Sequence, residues 1–216
     1  MHRGLFIPEI VGLIFAELRR PAQPLVDERN DLAALTRTCK AFQDPALNLL
    51  WSEQDTLDNL LRTLPPHLWT DTVDQRAYLH FRLIGPIKPA DWEIPLVYAL
   101  RIRTLSLRMW GSNQFRPAAD IFEAISSGLP RDYLCPKLRS ISWYTDMDTI
   151  FPYIRLFLGP EITEAGMTFP VTSPLSLLPT LPLRYAALTR LHIYVLNPPY
   201  SSIVRSTASE IVMQLE

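Results

Sequence analysis

One spacing of apolar residues recurs along the second half of the chain and constrains its fold more than any other feature. It reads apolar-x-x-apolar-x-apolar and occurs as Ile102-x-x-Leu105-x-Leu107, Leu138-x-x-Ile141-x-Trp143, Ile162-x-x-Ala165-x-Met167 and Leu188-x-x-Leu191-x-Ile193. Alternate residues of a strand share a face, so each triplet predicts a strand that is buried on one side. Helical stretches between the triplets suit crossovers between parallel strands. We therefore predict parallel strands centred on residues 105, 141, 165 and 191, adjacent in that order.

The distance between these strands indicates a repeat. Successive central residues are 36, 24 and 26 apart. The last two steps lie in or near the range of leucine-rich repeats, about 20–29 residues, and the first requires an insertion. The asparagine that usually follows each strand of such repeats is absent, so an ordinary α/β domain with buried strands is the alternative.

If the repeats are real, the residues that flank the inward-pointing positions lie on the concave face of the sheet. Several of these have the character of anchors at protein interfaces, where aromatic and arginine side chains are enriched. The candidate substrate-binding residues are Arg108, Tyr144, Arg190, His192 and Tyr194. A face that is simply solvated is the alternative.

The chain opens with a second distinctive feature, the apolar segment "LFIPEIVGLIFAEL" from Leu5 to Leu18. It does not fit a signal peptide, because Glu9 and Glu17 interrupt the apolar run and no small-residue cleavage site follows. It is also too short for a membrane helix, which needs about 20 apolar residues. Pro8 suits the first turn of a soluble helix. Apolar residues then cover more than one side of this helix, which is a surplus for a surface helix.

Two more helices are predicted before Trp51. One carries Leu32, Leu35, Cys39 and Phe42, with Asn30 or Asp31 as its cap, and the other begins at Asp44-Pro45. A unit of about 40 residues rarely buries enough surface to be stable alone. We expect its helices to dock on the rest of the chain, on a partner, or on both.

The order of these pieces resembles the F-box. The matching pieces are Ile7-Pro8-Glu9-Ile10, the helix through Leu18, Asp31-Leu32, Thr38-Cys39-Lys40-Ala41-Phe42 and Leu50-Trp51. The chain departs from the family in a longer loop, "RRPAQPLVDERN", and in Thr38, which replaces the usual valine. The match covers about a fifth of the chain. The stretches "DWE", "RTLSL", "CPKLRSI" and "LFLGPEIT" extend the resemblance to the fungal F-box proteins that carry leucine-rich repeats.

The resemblance implies a partner. An F-box binds the Skp adaptor of a cullin–RING ubiquitin ligase, and the rest of such a protein selects what is ubiquitinated. The surplus apolar surface of the first helix would then be covered by that partner. The residues implied in adaptor binding are Ile7, Pro8, Glu9, Ile10, Leu13, Ile14, Leu32, Cys39, Phe42 and Trp51.

Composition and motifs narrow the function. A formal net charge of −1 over 216 residues argues against a nucleic-acid binder held by phosphate neutralisation. Two distant cysteines, Cys39 and Cys135, exclude a disulfide framework and favour a reducing compartment. No catalytic motif is present, and the four histidines have no metal-ligand spacing. We expect no cofactor and no metal, a location in the cytoplasm or the nucleus, and no attachment to membranes.

The resulting prediction is an α+β chain without enzymatic activity that serves as a ligase substrate adaptor. A three-helix F-box-like domain over 1–55 precedes a helical linker or N-terminal cap over 56–100 and a short α/β leucine-rich-repeat-like domain over 101–216. We expect a final helix after Pro198-Pro199 and an open edge on the last strand, around Leu191 and Ile193. Such a shortened solenoid should self-associate through that edge. An interaction scaffold outside any ligase, and an enzyme with an unrecognised site, are the alternatives.

Overall fold

A computed structural model describes residues 8–17, 25–73, 79–109, 119–145, 147–169 and 185–195. They fall into two compact units that divide between Glu53 and Gln54. We call these the N-terminal unit and the C-terminal unit. The combination of helices with a mostly parallel sheet confirms the broad α+β class that the sequence predicts.

Three helices make up the described part of the N-terminal unit. They are α1 (Pro8–Ala16), α2 (Leu25–Leu35) and α3 (Lys40–Ser52). Helix α3 contacts both of the others. The core comprises Val11, Phe15, Leu32 and Ala46, with Leu35, Phe42, Leu49 and Leu50 packed around it.

The second and third helices have other bounds than the sequence indicated. Helix α2 begins at Leu25 and not at Asn30 or Asp31, and it ends at Leu35, before Cys39. Cys39 is the N-cap of α3, which begins at Lys40 and carries Pro45 in its interior. The helix start predicted at Asp44-Pro45 is therefore wrong, because one full turn precedes the proline. Pro45 lacks an N–H and so forgoes only the bond to the carbonyl of Ala41.

The C-terminal unit begins with short elements. Helix α4 (Asp58–Leu61) is followed by a 3-10 turn (Pro66–Leu68) and by the antiparallel hairpin of β2 (Trp69–Val73) and β3 (Leu79–Leu83). A second 3-10 turn (Pro89–Trp92) runs into helix α5 (Glu93–Ala99). The helical linker predicted for 56–100 is thus incomplete, since it contains a hairpin.

The main sheet has five strands. They are the two-residue strand β1 (Glu53–Gln54), β4 (Thr104–Met109), β5 (Ser140–Thr145), β6 (Glu164–Phe169) and β7 (Arg190–Val195). They lie side by side in the order β1-β4-β5-β6-β7. The last four pair in parallel, and the predicted centres lie side by side: Leu105 with Ile141, Ile141 with Ala165, and Ala165 with Leu191. The predicted direction and order of these strands are confirmed.

A turn of the same geometry precedes each of these four strands. The N–H of Ile102, Leu138, Ile162 and Leu188 donates to the carbonyl three residues earlier, in Ala99, Cys135, Gly159 and Tyr185. After each of the first three turns, the carbonyl of the next residue accepts from two N–H groups at the following turn, as that of Arg103 does from Arg139 and Ser140. The apolar residue that opens each sequence triplet therefore closes a turn.

Apolar side chains cover one face of the sheet. Leu105, Ile141, Trp143, Ala165 and Met167 are buried there. Trp143 contacts Phe122 of helix α6 (Ala119–Gly128) and Phe157, with ring centroids 5.5 and 5.4 Å apart. A 3-10 helix (Phe151–Leu156) lies in the next connection. Alternation in the strands thus directs one set of side chains to a buried layer and the other set to the opposite face.

The predicted helix after Pro198-Pro199 lies outside the described residues. The strand whose edge is expected to stay open is β7, which is the last strand of the sheet among the described residues. Within the residues that the structure does describe, no helix has the length and apolar character needed to cross a membrane.

Candidate functional site

Helix α1 exposes three large apolar side chains. Ile10, Leu13 and Ile14 are 41%, 71% and 48% exposed. They stand at positions i, i+3 and i+4 and so form one continuous face of the helix. We call these three residues the α1 patch. These three exposed residues account for the surplus of apolar side chains that the sequence of this helix indicates.

The core that the described residues form in the N-terminal unit does not include the α1 patch. Val11 and Phe15, on the other side of the same helix, are buried. The ring of Phe15 meets that of Phe42 edge to face, with centroids 5.3 Å apart and an interplanar angle of 83°. Leu32 and Ala46 fill the remaining core. Helix α1 therefore has a core face and a separate apolar face that is open to solvent.

The other residues predicted to bind the adaptor have mixed positions. Leu32 is 2% exposed, so it is a core residue, and its assignment as a contact residue is corrected. Cys39, Phe42 and Trp51 are half-buried. Pro8 and Glu9 form the first turn of α1. Ile7 lies outside the described residues. Of the predicted set, the structure brings Ile10, Leu13 and Ile14 together as one surface.

The second candidate surface is the face of the main sheet opposite the buried layer, which we call the polar sheet face. Strand pairing arranges its residues in three rows across the sheet. One row contains Thr104, Ser140, Glu164 and Arg190, and the next contains Ser106, Ser142, Gly166 and His192. The last consists of two register pairs, Arg108 with Tyr144 and Thr168 with Tyr194, between which the pairing of β5 with β6 has already ended. All five residues predicted for substrate binding lie on this face.

Two tyrosines of the polar sheet face meet across an intervening strand. Tyr144 of β5 and Tyr194 of β7 have ring centroids 5.4 Å apart at an interplanar angle of 82°. Strand β6 lies between them, and its Gly166 leaves the space that the Tyr144 ring crosses. A Cβ atom on Gly166 would stand 2.9 Å from the Tyr144 hydroxyl. The glycine therefore permits the tyrosine pair.

An ion pair occupies the opposite end of the face. Arg190 Nη2 lies 2.7 Å from Glu164 Oε1, and Ser140 Oγ donates to Glu164 Oε2 at 3.4 Å. The arginine side chain is 68% exposed, so water screens the pair and its contribution to stability is small. The consequence of the ion pair is that the Glu164 carboxylate of this face is already occupied by Arg190. Arg108 and His192 are both exposed.

Below these side chains, Thr168 connects β6 to β5. Its hydroxyl accepts from the Thr145 N–H at 2.8 Å and donates to the Thr145 carbonyl at 2.9 Å. Both threonines are fully buried. These bonds take over at the point where the register of β5 with β6 ends at Trp143 and Met167. They hold the strand ends that carry the tyrosine pair.

The described residues offer little to a catalytic mechanism. They include no cluster of histidine, cysteine or carboxylate side chains that could hold a metal ion. Burial raises the pKa of the Cys135 thiol to about 12, which keeps it protonated and unreactive as a nucleophile. Its place is structural, because its carbonyl accepts the N–H of Leu138 in the turn before β5.

Gly166 is the functional candidate that sequence reasoning did not single out. The sequence puts it on the polar sheet face, but a lone glycine in a strand carries no signal of what crosses it. Its neighbours in the same row, Ser106 and Ser142, are also small. Three small residues in one row, beside the arginine and tyrosine of the next row, are the signal that could have identified it.

Comparisons of the chain with protein-family models, with curated proteins and with solved structures found no match.

Proposed function

We propose that this chain is a substrate-recognition adaptor of an SCF-type cullin–RING ubiquitin ligase, which binds the Skp adaptor through an F-box-like N-terminal unit. The α1 patch is the observation that carries the proposal. Three neighbouring apolar side chains of α1 stay exposed, whereas Val11 and Phe15 of the same helix are buried in the core. Contiguous exposed apolar residues mark sites of protein association.

The form of the α1 patch fits a helix that docks in an apolar groove. Such helices present anchors at i, i+3 and i+4, which is the spacing of Ile10, Leu13 and Ile14. The ordered F-box-like pieces of the sequence support the same assignment. In this proposal Cys39, Phe42 and Trp51 contribute their exposed portions to the contact, and Leu32 holds the helices behind it.

The C-terminal unit would select the substrate. Its four parallel strands recur with a turn of one geometry, which supports the leucine-rich-repeat interpretation and gives a broad face with arginine and tyrosine side chains. The proposed role is binding without catalysis and without a cofactor, in the cytoplasm or the nucleus. It involves neither nucleic acid nor a membrane.

A charge substitution in the α1 patch tests the proposal. The variant Ile10→Asp/Leu13→Asp should still fold, since both side chains are exposed, and should lose the Skp adaptor, because docking would bury unpaired carboxylates. Co-purification of the full chain with the Skp adaptor is the measurement. Ile94→Asp/Val97→Asp, which changes two exposed apolar residues of α5, is the matched control and should retain binding.

Folding is monitored by circular dichroism during heating. A folded α1 double variant that still binds the Skp adaptor, or a native chain that does not bind it, contradicts the F-box assignment. The second outcome, combined with capture of another protein through the α1 patch, favours an interaction scaffold that works outside a ligase.

A further inference from the structure

Three large side chains cross the polar sheet face in one line. Arg108 of β4 is the register partner of Tyr144 on β5, and the Tyr144 ring meets that of Tyr194 on β7. The line spans three strand-to-strand steps, or roughly 14 Å at the usual strand spacing. Arginine and tyrosine are the residue types that most often dominate binding energy at interfaces. We call these three residues the contact row.

The row beside it is shallow. Ser106, Ser142 and Gly166 are register partners, and each has a small side chain or none. The face is therefore shallow beside Arg108 and the base of Tyr144, whereas the Tyr144 ring covers Gly166 and His192 continues the row on β7. An extended polypeptide could cross the face above the two serines with its side chains against the arginine and the tyrosine pair.

Charge decides what kind of segment fits. The described residues of the polar sheet face include two arginines and one histidine but only one carboxylate, that of Glu164. Glu164 is already paired with Arg190. Arg108 is exposed and forms no ion pair with a described residue. A guanidinium fork of this kind binds one carboxylate with two parallel hydrogen bonds.

The same geometry argues against a phosphate group. Sites that recognise phosphorylated segments gather several arginines around the anion. Here Arg190 lies at the far end of the face, in the row of Glu164, and its guanidinium is engaged by that residue. Among the described residues of this face, Arg108 has the one guanidinium outside an ion pair, and its charge matches that of a single carboxylate.

The tyrosine pair supplies the second half of the site. Tyr194 is 51% exposed and presents ring surface beside the half-buried Tyr144. Their edge-to-face contact makes a rigid aromatic surface on which an apolar side chain can pack. The pair is centred roughly 10 Å from β4, which an extended chain covers in about three residues.

We propose that the contact row binds an extended acidic segment of a partner protein, in which an Asp or Glu carboxylate pairs with Arg108 and a bulky apolar residue about three positions away packs on Tyr144 and Tyr194. This deepens the proposed function by naming the class of substrate segment. It rests on substrate selection by this face and not on the α1 patch.

Selection from a library of random displayed peptides, long enough to cross the four strands, tests the proposal with the full chain as bait. The enriched peptides should share an acidic residue and a bulky apolar residue at this separation. Their affinity, measured by fluorescence polarisation, should fall at least about tenfold for Arg108→Glu. Arg155→Glu, a change of the same charge at an exposed residue of the 3-10 helix, should bind as the native chain does.

The variant Gly166→Ala tests the contribution of the tyrosine pair to binding without disturbing the fold. The new Cβ would stand 2.9 Å from the Tyr144 hydroxyl, at the far end of a flexible side chain, so the ring should move while the strand stays in place. We expect peptide affinity to fall about fivefold at an unchanged melting temperature. Near-ultraviolet circular dichroism should report the change of the tyrosine environment.

The proposal is wrong if no peptide is enriched, if enriched peptides lack the acidic residue, or if they bind Arg108→Glu as well as the native chain. None of these outcomes bears on the Skp adaptor, which is tested through the α1 patch. A failure of adaptor binding with the expected peptide preference would refute the ligase role and leave the contact row in place.

Discussion

Tyr144 and Tyr194 lie on strands that are not neighbours, yet their rings meet edge to face with centroids 5.4 Å apart. The strand between them contributes Gly166 at the crossing point. Any larger residue there would force the Tyr144 ring away. The most exposed aromatic surface of the polar sheet face thus depends on the absence of a side chain in β6.

Two glycines should respond in opposite directions to replacement by alanine. A Cβ on Gly128 would collide with the backbone carbonyl of Ile87, whereas one on Gly12 would meet nothing within 4 Å. Gly128→Ala should cost about 1–3 kcal/mol through overpacking. Gly12→Ala should stabilise α1 by about 0.5–1 kcal/mol. Urea unfolding followed by circular dichroism measures both, and equal effects would contradict the close approach at Gly128.

Thr168→Val should destabilise the chain by about 1–3 kcal/mol. The substitution keeps the shape of the side chain but leaves the buried N–H and carbonyl of Thr145 without the hydroxyl that binds them. Thr189→Val is the matched control, because its hydroxyl bonds the Thr163 carbonyl at an exposed position where water can replace it. Its effect should stay within about 0.5 kcal/mol. Equal losses for the two variants in urea unfolding would refute the role of Thr168.

The hairpin should lose a stabilising contact in acid. The Arg62 guanidinium lies 2.7 Å from Asp71, and this bond holds the pKa of Asp71 below its ordinary value of 3.8. A lowered folded-state pKa means that the contribution is present above the unfolded pKa and is lost as the pH falls through the folded one. The arginine stays charged throughout, since the same contact raises its pKa.

Asp71→Asn should therefore reduce the stability slightly near neutral pH and have no effect well below pH 3.8. Asp71 is exposed, so the difference should also shrink as salt is added. Thermal unfolding across this pH range, with Asp132→Asn as an exposed control, is the measurement. A difference that persists in strong acid would show that the substitution acts by some other route.

The two cysteines should differ in reactivity. The thiolate is the reactive form, and burial raises the pKa of Cys135 to about 12, so this thiol should resist alkylation in the folded chain at mildly alkaline pH. Cys39 is half-buried at the start of α3 and should react first. Mass spectrometry after timed labelling measures this order. Equal labelling before denaturant is added would mean that the region around Cys135 opens readily.

The strands could be predicted because their signal is local. Alternation of Leu105 and Leu107 with polar residues fixes which side of β4 is buried, and the same holds for Ile141 and Trp143 in β5. The helices between the strands require a crossover, which implies parallel pairing. The order of the four strands follows from the apolar-x-x-apolar-x-apolar spacing that recurs along the second half of the chain.

The bounds of the N-terminal helices could not be predicted in the same way. Asp44-Pro45 is a common helix start, but the contact of Phe42 with Phe15 favours an earlier start that encloses the proline. Local propensity differs by only a few tenths of a kcal/mol between such starts, whereas burial of an aromatic side chain contributes more. Tertiary contacts therefore override the local signal.

The sequence by itself determined the parallel strands, the polar and apolar faces of the sheet, and an apolar surplus on α1. It could not say that Val11 and Phe15 form the core side of α1 while Ile10, Leu13 and Ile14 stay exposed, because all five are apolar and only the position of α3 distinguishes them. Nor could it place Tyr144 against Tyr194, which are 50 residues apart. Periodicity along the chain encodes which face a residue occupies, but which side chains meet is decided by the elements that pack together in three dimensions.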